Sequence, residues 1–511
     1  MRAFPYSKSC SMNFRISIIL IFVFQQIAAI AQSSLDYAGL ITPADLTDNL
    51  SILASDALEG RETGTRGQKM AAAFISHHFQ QLSLAPPVEG KSYYQPFDLH
   101  KIVQGEVHLT IRGTTYQNFR DFVYYGKDNS GGDITLPIVF AGRGGMQDFN
   151  QLKVAGKAVF ITLGEEEDYR TPVSLAKANK AAMVFILNTQ TEEDFQHYAK
   201  QFETFLSEER LSLEKPGVAA RSSGIFFVSP AVAGKIFDAT AEKLAEAAGD
   251  VSKKPSLKRI TEGRVSFSTA AKIEVVKTEN VLGYMEGTDK KDELLVITSH
   301  YDHIGKKKQG QGDLINNGAD DDGSGTVAVL QLAKVFAHAK KNGNGPRRSI
   351  LFMTVSGEEN GLLGSEYYTQ YPIFSLSNTV VNLNIDMIGR RDEQHSDSPP
   401  YVYVIGADKL SSELHELSEG INNRFTKLIF DYTYNDENHP ARLYYRSDHW
   451  NFAQKNIPII FYFDGIHEDY HQPSDEVDKI EFDLLTARTR CIFHTAWEIA
   501  NRPGRIRPDP K

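Results

Sequence analysis

From about residue 275 the chain alternates short apolar runs with helical periodicity, and this alternation constrains the fold more than any other feature. The runs are Leu294–Thr298, Ser349–Val355, Val380–Ile385, Tyr401–Ile405 and Pro458–Phe463. Helical patterns such as Thr326–Ala339 and Leu410–Ile421 lie between them. Strands separated by helices predict an α/β fold: a mostly parallel sheet with helices on both faces.

The polar residues that follow these runs are of metal-ligand type. His300 follows the first run, Glu358 and Glu359 the second, and Asp386 the third. His471 lies in the loop after the last, and Asp320 in a glycine-bracketed loop before the Thr326 helix. Open α/β sheets collect ligands at the carboxyl ends of their strands, so the topology brings these groups to one edge. Two His, one Glu and two Asp, with a second Glu to spare, suit two zinc ions sharing a carboxylate. Asp302, two residues past His300, is placed to orient that imidazole. Glu358, beside the ligand Glu359, is placed to take a proton from an attacking water and pass it to the leaving amine. For His303 a structural or pocket role is preferred over ligation. Ser447-Asp448-His449 is no serine triad, because adjacent side chains cannot adopt that geometry.

Length and charge bound the alternatives. At 511 residues the chain exceeds one typical core, so more than one domain is expected. A net charge of -10 with no basic, aromatic-interleaved stripe argues against nucleic acid as a partner. Arg2, Lys8 and Arg15 precede the apolar run Ile16–Phe24, and Ala29-Ile30-Ala31 then gives a small-x-small cleavage pattern. Residues 1–31 therefore read as a signal peptide, and the protein is expected to be exported, periplasmic or extracellular, with no transmembrane segment once the signal is removed. Of two cysteines, Cys10 falls within that signal, which leaves Cys491 as a buried core thiol on a helix.

Residues 32–103 open the catalytic domain, with helical spacing at Ala71, Phe74, Ile75, Phe79 and Leu82. Residues 104–265 differ in texture. Short apolar runs at Leu136–Phe140, Ala158–Leu163, Ala182–Leu187 and Gly224–Val228 predict an inserted β-rich domain with a few helices, and residues 266–511 resume the catalytic domain.

The motifs resemble those of the co-catalytic two-zinc aminopeptidases, whose relatives include glutamate carboxypeptidase II. The matching stretches are His300-Tyr301-Asp302, Asn317–Asp321, Gly357–Gly364, Asn384–Gly389 and Tyr470–Asp475, together with Leu53–Gly67. The middle region resembles a protease-associated domain. The resemblance implies that Asp320 bridges two zinc ions, one adding His300 and Asp386, the other Glu359 and His471. It implies Glu358 as general base and then acid, Asp302 as the group that orients His300, a cis peptide between Asp320 and Asp321, and Tyr470 as a contact to the developing oxyanion. Departures are small: Gln472 stands where Thr is usual, and Asp321-Asp322 where the family has Asp-Asn.

The function expected is a zinc exopeptidase acting on peptide substrates with a free N-terminus. A carboxypeptidase or dipeptidase on the same scaffold would need a cation for the substrate carboxylate, and Arg446 and Arg390-Arg391 are candidates. A single-zinc glutaminyl cyclase and an inactive binding module are the remaining readings. The sequence leaves side-chain preference and oligomeric state open.

Overall fold

The computed structural model describes residues 34–126, 130–164, 167–207, 210–214, 224–249 and 263–510. The signal-peptide reading and Cys10 lie outside them. The chain divides into two compact units. One holds the described residues up to Phe97 together with those from Lys277 onward; the other holds the described residues of Asp98–Val276.

The first unit is built on a mixed sheet. Its four central strands, Ile459–Phe463, Thr379–Ile385, Lys290–His300 and Arg348–Val355, run parallel in that spatial order. Tyr401–Ile405 pairs antiparallel on one flank and the 281–285 stretch of Gly263–Met285 on the other; Ile429–Asp431 then pairs with Tyr401–Ile405. The central strands are buried throughout, apart from residues 290–293 at the start of Lys290–His300, as expected of parallel strands covered on both faces. Alternation divides their side chains. Leu295 and Ile297 join a core with Leu50, Phe79, Phe336 and Trp497, whereas Leu294 and Val296 join another with Tyr368, Leu443 and Phe452.

Local signals set the flanking helices. Pro43–Leu53 begins with Pro in its first turn, and the Thr42 side chain accepts from the Asp45 N–H at 3.3 Å. Gly325–Lys341 places His338, Lys340 and Lys341 in its last turn, where cations favour the helix dipole. Phe482–Asn501 buries Cys491 at 0% exposure, and burial pushes that thiol up to about 12. Among the described residues, no helix is long and apolar enough to cross a membrane.

The second unit has its own parallel strands, Ile134–Phe140, Ala158–Thr162, Met183–Leu187 and Ile225–Val228. Phe122–Tyr125 pairs antiparallel with the last of these. Helices Arg170–Ala178, Glu192–Ser207, Pro230–Phe237 and Ala241–Gly249 accompany them, and two apolar cores form, one centred on Phe160 and Phe226, the other on Ile161 and Phe227.

Candidate metal centre

Register in the first sheet carries the ligand-type residues to one edge. His300 is the last residue of its strand and pairs with Val355; Ile385 pairs with Tyr462. The four central strands therefore end nearly level, and His300, Glu358, Glu359, Asp386 and His471 project from or just beyond those ends.

The donor atoms converge on Asp321. His300 Nε2 lies 3.2 Å from Asp321 Oδ1 and 3.5 Å from Asp386 Oδ1. On the other side His471 Nε2 lies 3.1 Å from Asp321 Oδ2 and 3.1 Å from Glu359 Oε2. Two donors at zinc distances on a tetrahedral ion stand about 3.3–3.5 Å apart, so these separations fit ions held between the groups. The groups His300–Glu358–Asp386 and His300–Asp321–Glu359 are each compact enough to hold a metal. Asp321 Oδ2 and His471 Nε2 are buried and have no hydrogen-bond partner among the described residues. Buried carboxylates packed side by side are costly, and a cation between them lowers that cost. Donor chemistry and spacing both fit two zinc ions.

Asp320 is not part of this constellation, which corrects the expectation that it bridges. Its Oδ1 accepts from the Gly389 N–H at 2.6 Å, and its Oδ2 faces His467 Nε2 at 3.2 Å. Its own N–H donates to Asp475, as does that of Asp321. These partners turn the Asp320 carboxylate toward the 389 and 467 segments, and Asp321 takes the place between the two histidines. The cis peptide likewise lies at Asp321–Asp322, one residue later than expected.

Asp302 differs from expectation in its mode of action. His300 Nδ1 donates to the Asp302 backbone carbonyl at 3.0 Å, while the carboxylate stands 3.8 Å away. That carboxylate accepts from Thr63 Oγ1 at 2.7 Å and from the Glu358 N–H at 3.4 Å. It therefore fixes the backbone of the general-base candidate, and the main chain sets the His300 tautomer.

Glu358 Oε2 is 3.9 Å from His300 Nε2, farther than the ligand pairs. Burial raises its carboxyl well above the ordinary range, reinforced by Asp386 and Glu359 and opposed by His300. For His471, burial is outweighed by Asp321 and Glu359, which lift the ring to about 10. Tyr470 stacks on the His471 ring with centroids 3.9 Å apart, and it lines the pocket. The other walls include Met387, Leu443, Phe461, Phe463, Ile466 and Arg446.

Residues 280–496 match Peptidase family M28. The match lies within the first unit, on the strands and loops that carry the cluster. A probable zinc metalloprotease of Phaeosphaeria nodorum is 26% identical over 270 residues, covering 45% of this chain and 53% of that protein. A probable leucine aminopeptidase of Trichophyton verrucosum is 27% identical over 241 residues, covering 45% and 61%. Aminopeptidase Y of Saccharomyces cerevisiae is 26% identical over 242 residues, covering 45% and 40%. The chain thus spans about half the length of the curated relatives it matches. Among solved structures, an aminopeptidase from Aneurinibacillus sp. strain AM-1 shares the fold, with a TM-score of 0.54 and 19% identity over 94% of this chain and 98% of that one.

Several residues that hold the site together carry no local sequence signal. The Asp322 carboxylate accepts from the backbone N–H of His300, Gly325 and Met387, and so ties three ligand-bearing segments. Arg61, 1% exposed, donates to the carbonyls of Leu53, Tyr301, Asn317 and Gly318 at 2.6–2.9 Å. Its charge faces Asp321, Asp475, Asp302 and Asp322. Of the two departures from the family pattern, Gln472 points to Lys307 Nζ at 3.0 Å and stays out of the cluster.

Proposed function

We propose that this protein is an exported, two-zinc aminopeptidase that removes N-terminal residues from peptides. The observation that carries the reading is Asp321 set between His300 and His471, with Asp386 and Glu359 completing the two sides. Zinc ions held there would polarise the scissile carbonyl and acidify an attacking water. The chain's own residues do the rest. Glu358 has a carboxyl biased by burial toward holding a proton, which suits a group that accepts one from water and returns it to the leaving amine. Tyr470 borders the same pocket and is the candidate donor to the oxyanion. Met387, Phe461, Phe463 and Ile466 line the pocket and offer an apolar surface to a substrate side chain. Export is supported by the Ile16–Phe24 run and the Ala29-Ile30-Ala31 pattern, and N-terminal sequencing of the protein recovered outside the cytoplasm tests it.

One observation favours a second reading. Arg390 is paired with Asp469 and Arg391 with Glu481, each at 3.0 Å, but Arg446 lines the pocket without an ion pair among the described residues. A free guanidinium there is suited to a substrate carboxylate, as in a carboxypeptidase or dipeptidase.

Mass spectrometry of a defined peptide mixture separates the two. Unblocked, N-acetylated and C-amidated peptides are incubated with the purified protein, with Glu358→Gln as the blank. Loss of N-terminal residues from unblocked and C-amidated peptides alone is the expected result. Trimming from the C-terminus would replace the aminopeptidase reading with the carboxypeptidase one.

A further inference from the structure

The pocket beside the metal centre joins apolar walls to a single cation that is no ligand. Met387, Leu443, Phe461, Phe463 and Ile466 form the walls, and apart from His300 the one basic side chain on the lining is Arg446. The main chain beneath Arg446 is fixed. Its N–H donates to the Leu443 carbonyl at 3.1 Å, the adjoining Ser447 Oγ donates to Asp386 Oδ2 at 2.6 Å, and His449 Nε2 donates to the Tyr444 carbonyl at 2.8 Å. The Arg446 side chain itself is exposed and has no hydrogen-bond or ion-pair partner among the described residues. On the same segment Glu437 is taken by Lys409 at 3.6 Å and by the Tyr445 hydroxyl at 3.5 Å, while Arg442 lies over the Tyr445 ring at 4.8 Å. Two zinc ions would at most be balanced by the carboxylates of Asp321, Asp386, Glu358 and Glu359, with the histidines ligating as neutral imidazoles. The guanidinium is then the uncompensated charge of the pocket.

We propose that Arg446 sets the side-chain preference of this site, and that the preferred substrates are peptides with glutamate or aspartate at the N-terminus. This rests on the aminopeptidase reading and deepens it. An enzyme that removes one residue holds a single side chain ahead of the scissile bond, and the wall that borders Glu358 and the metal ligands receives it. The apolar surface covers the methylene groups of an acidic side chain, and the planar fork of the guanidinium matches its carboxylate. Within the same pocket a neutral isostere of that side chain leaves the guanidinium without a charged partner.

Chromogenic amides of single amino acids test this, because they carry no C-terminal carboxylate to occupy Arg446. The readout is the ratio of kcat/KM for the glutamate amide over the glutamine amide, which differ in charge and scarcely in shape. The ratio is expected to be about 10- to 100-fold in the zinc-loaded wild type, the range for a hydrogen bond to a charged group. It should fall to within about twofold of unity in Arg446→Ala, survive in part in Arg446→Lys, and give way to a preference for the lysine amide in Arg446→Glu. Calorimetry on the Glu358→Gln variant reads the same preference without turnover: free glutamate should bind more tightly than free glutamine, and Arg446→Ala should remove the difference. A wild-type ratio near or below one, or a ratio unchanged by Arg446→Ala, would overturn the inference and leave the aminopeptidase reading standing. Cleavage of none of the amides, with N-acetylated peptides trimmed from the C-terminus, would overturn that reading itself.

Discussion

The distinction between Asp320 and Asp321 yields a quantitative contrast. A four-ligand zinc site binds with roughly 10–16 kcal/mol, or about 2.5–4 kcal/mol per ligand. Asp321 offers one oxygen to each histidine side, at 3.2 Å from His300 and 3.1 Å from His471. Asp321→Asn leaves one neutral oxygen in place of two anionic ones, so at least one position loses a ligand. At 1.4 kcal/mol per tenfold, that position weakens about 10²- to 10³-fold. Asp320→Asn keeps an oxygen for the Gly389 N–H and loses only the charged partner of His467. It is expected to keep both zinc ions and to lose about 1.5–3 kcal/mol of stability, the range for a hydrogen bond to a charged group. Chelator competition and urea unfolding on the two variants read both quantities. A protein that loses zinc through Asp320→Asn and retains it through Asp321→Asn would refute the assignment.

Other expectations follow from the same geometry. Glu358→Gln should retain zinc and lose about 10²- to 10⁴-fold in peptide hydrolysis, the usual range for a general acid–base; initial rates within tenfold of wild type would exclude a proton-transfer role. Arg61→Ala strands four buried carbonyls, each worth about 1–3 kcal/mol, so denaturant unfolding should show a loss of at least about 4 kcal/mol, and a loss under about 1 kcal/mol would mean that the carbonyls find other partners. His449 is fully buried with a backbone partner at Tyr444, and burial pushes its ring down to about 3. A base with a lowered folded-state value contributes stability that is present above about pH 6.5 and lost as pH falls toward 3. The ring should stay neutral at pH 5 by NMR, and a titration near 6.5 would contradict its burial.

The ligand-bearing strand ends were legible because burial on both faces leaves continuous apolar runs, and the first polar residue past each run sits at the sheet edge. His300 and Asp386 were placed this way. The bridging position was not, because Asp320, Asp321 and Asp322 are consecutive and chemically alike, and only their hydrogen-bond partners at 389, 467 and 475 decide which one faces the histidines. The contact of Asp302 with His300 is hidden for a related reason: a sequence names side chains, whereas His300 is held by a main-chain carbonyl. Arg61 and Ser447 act across 240 and 61 residues of chain, through contacts that no local pattern encodes.

The most direct test is diffraction from zinc-loaded crystals at the zinc absorption edge. We expect two anomalous peaks flanking Asp321, about 3.5–4 Å apart as in other two-metal sites, one beside His300 and Asp386 and one beside Glu359 and His471. A single peak, or density centred on Asp320 and His467, would contradict the site described.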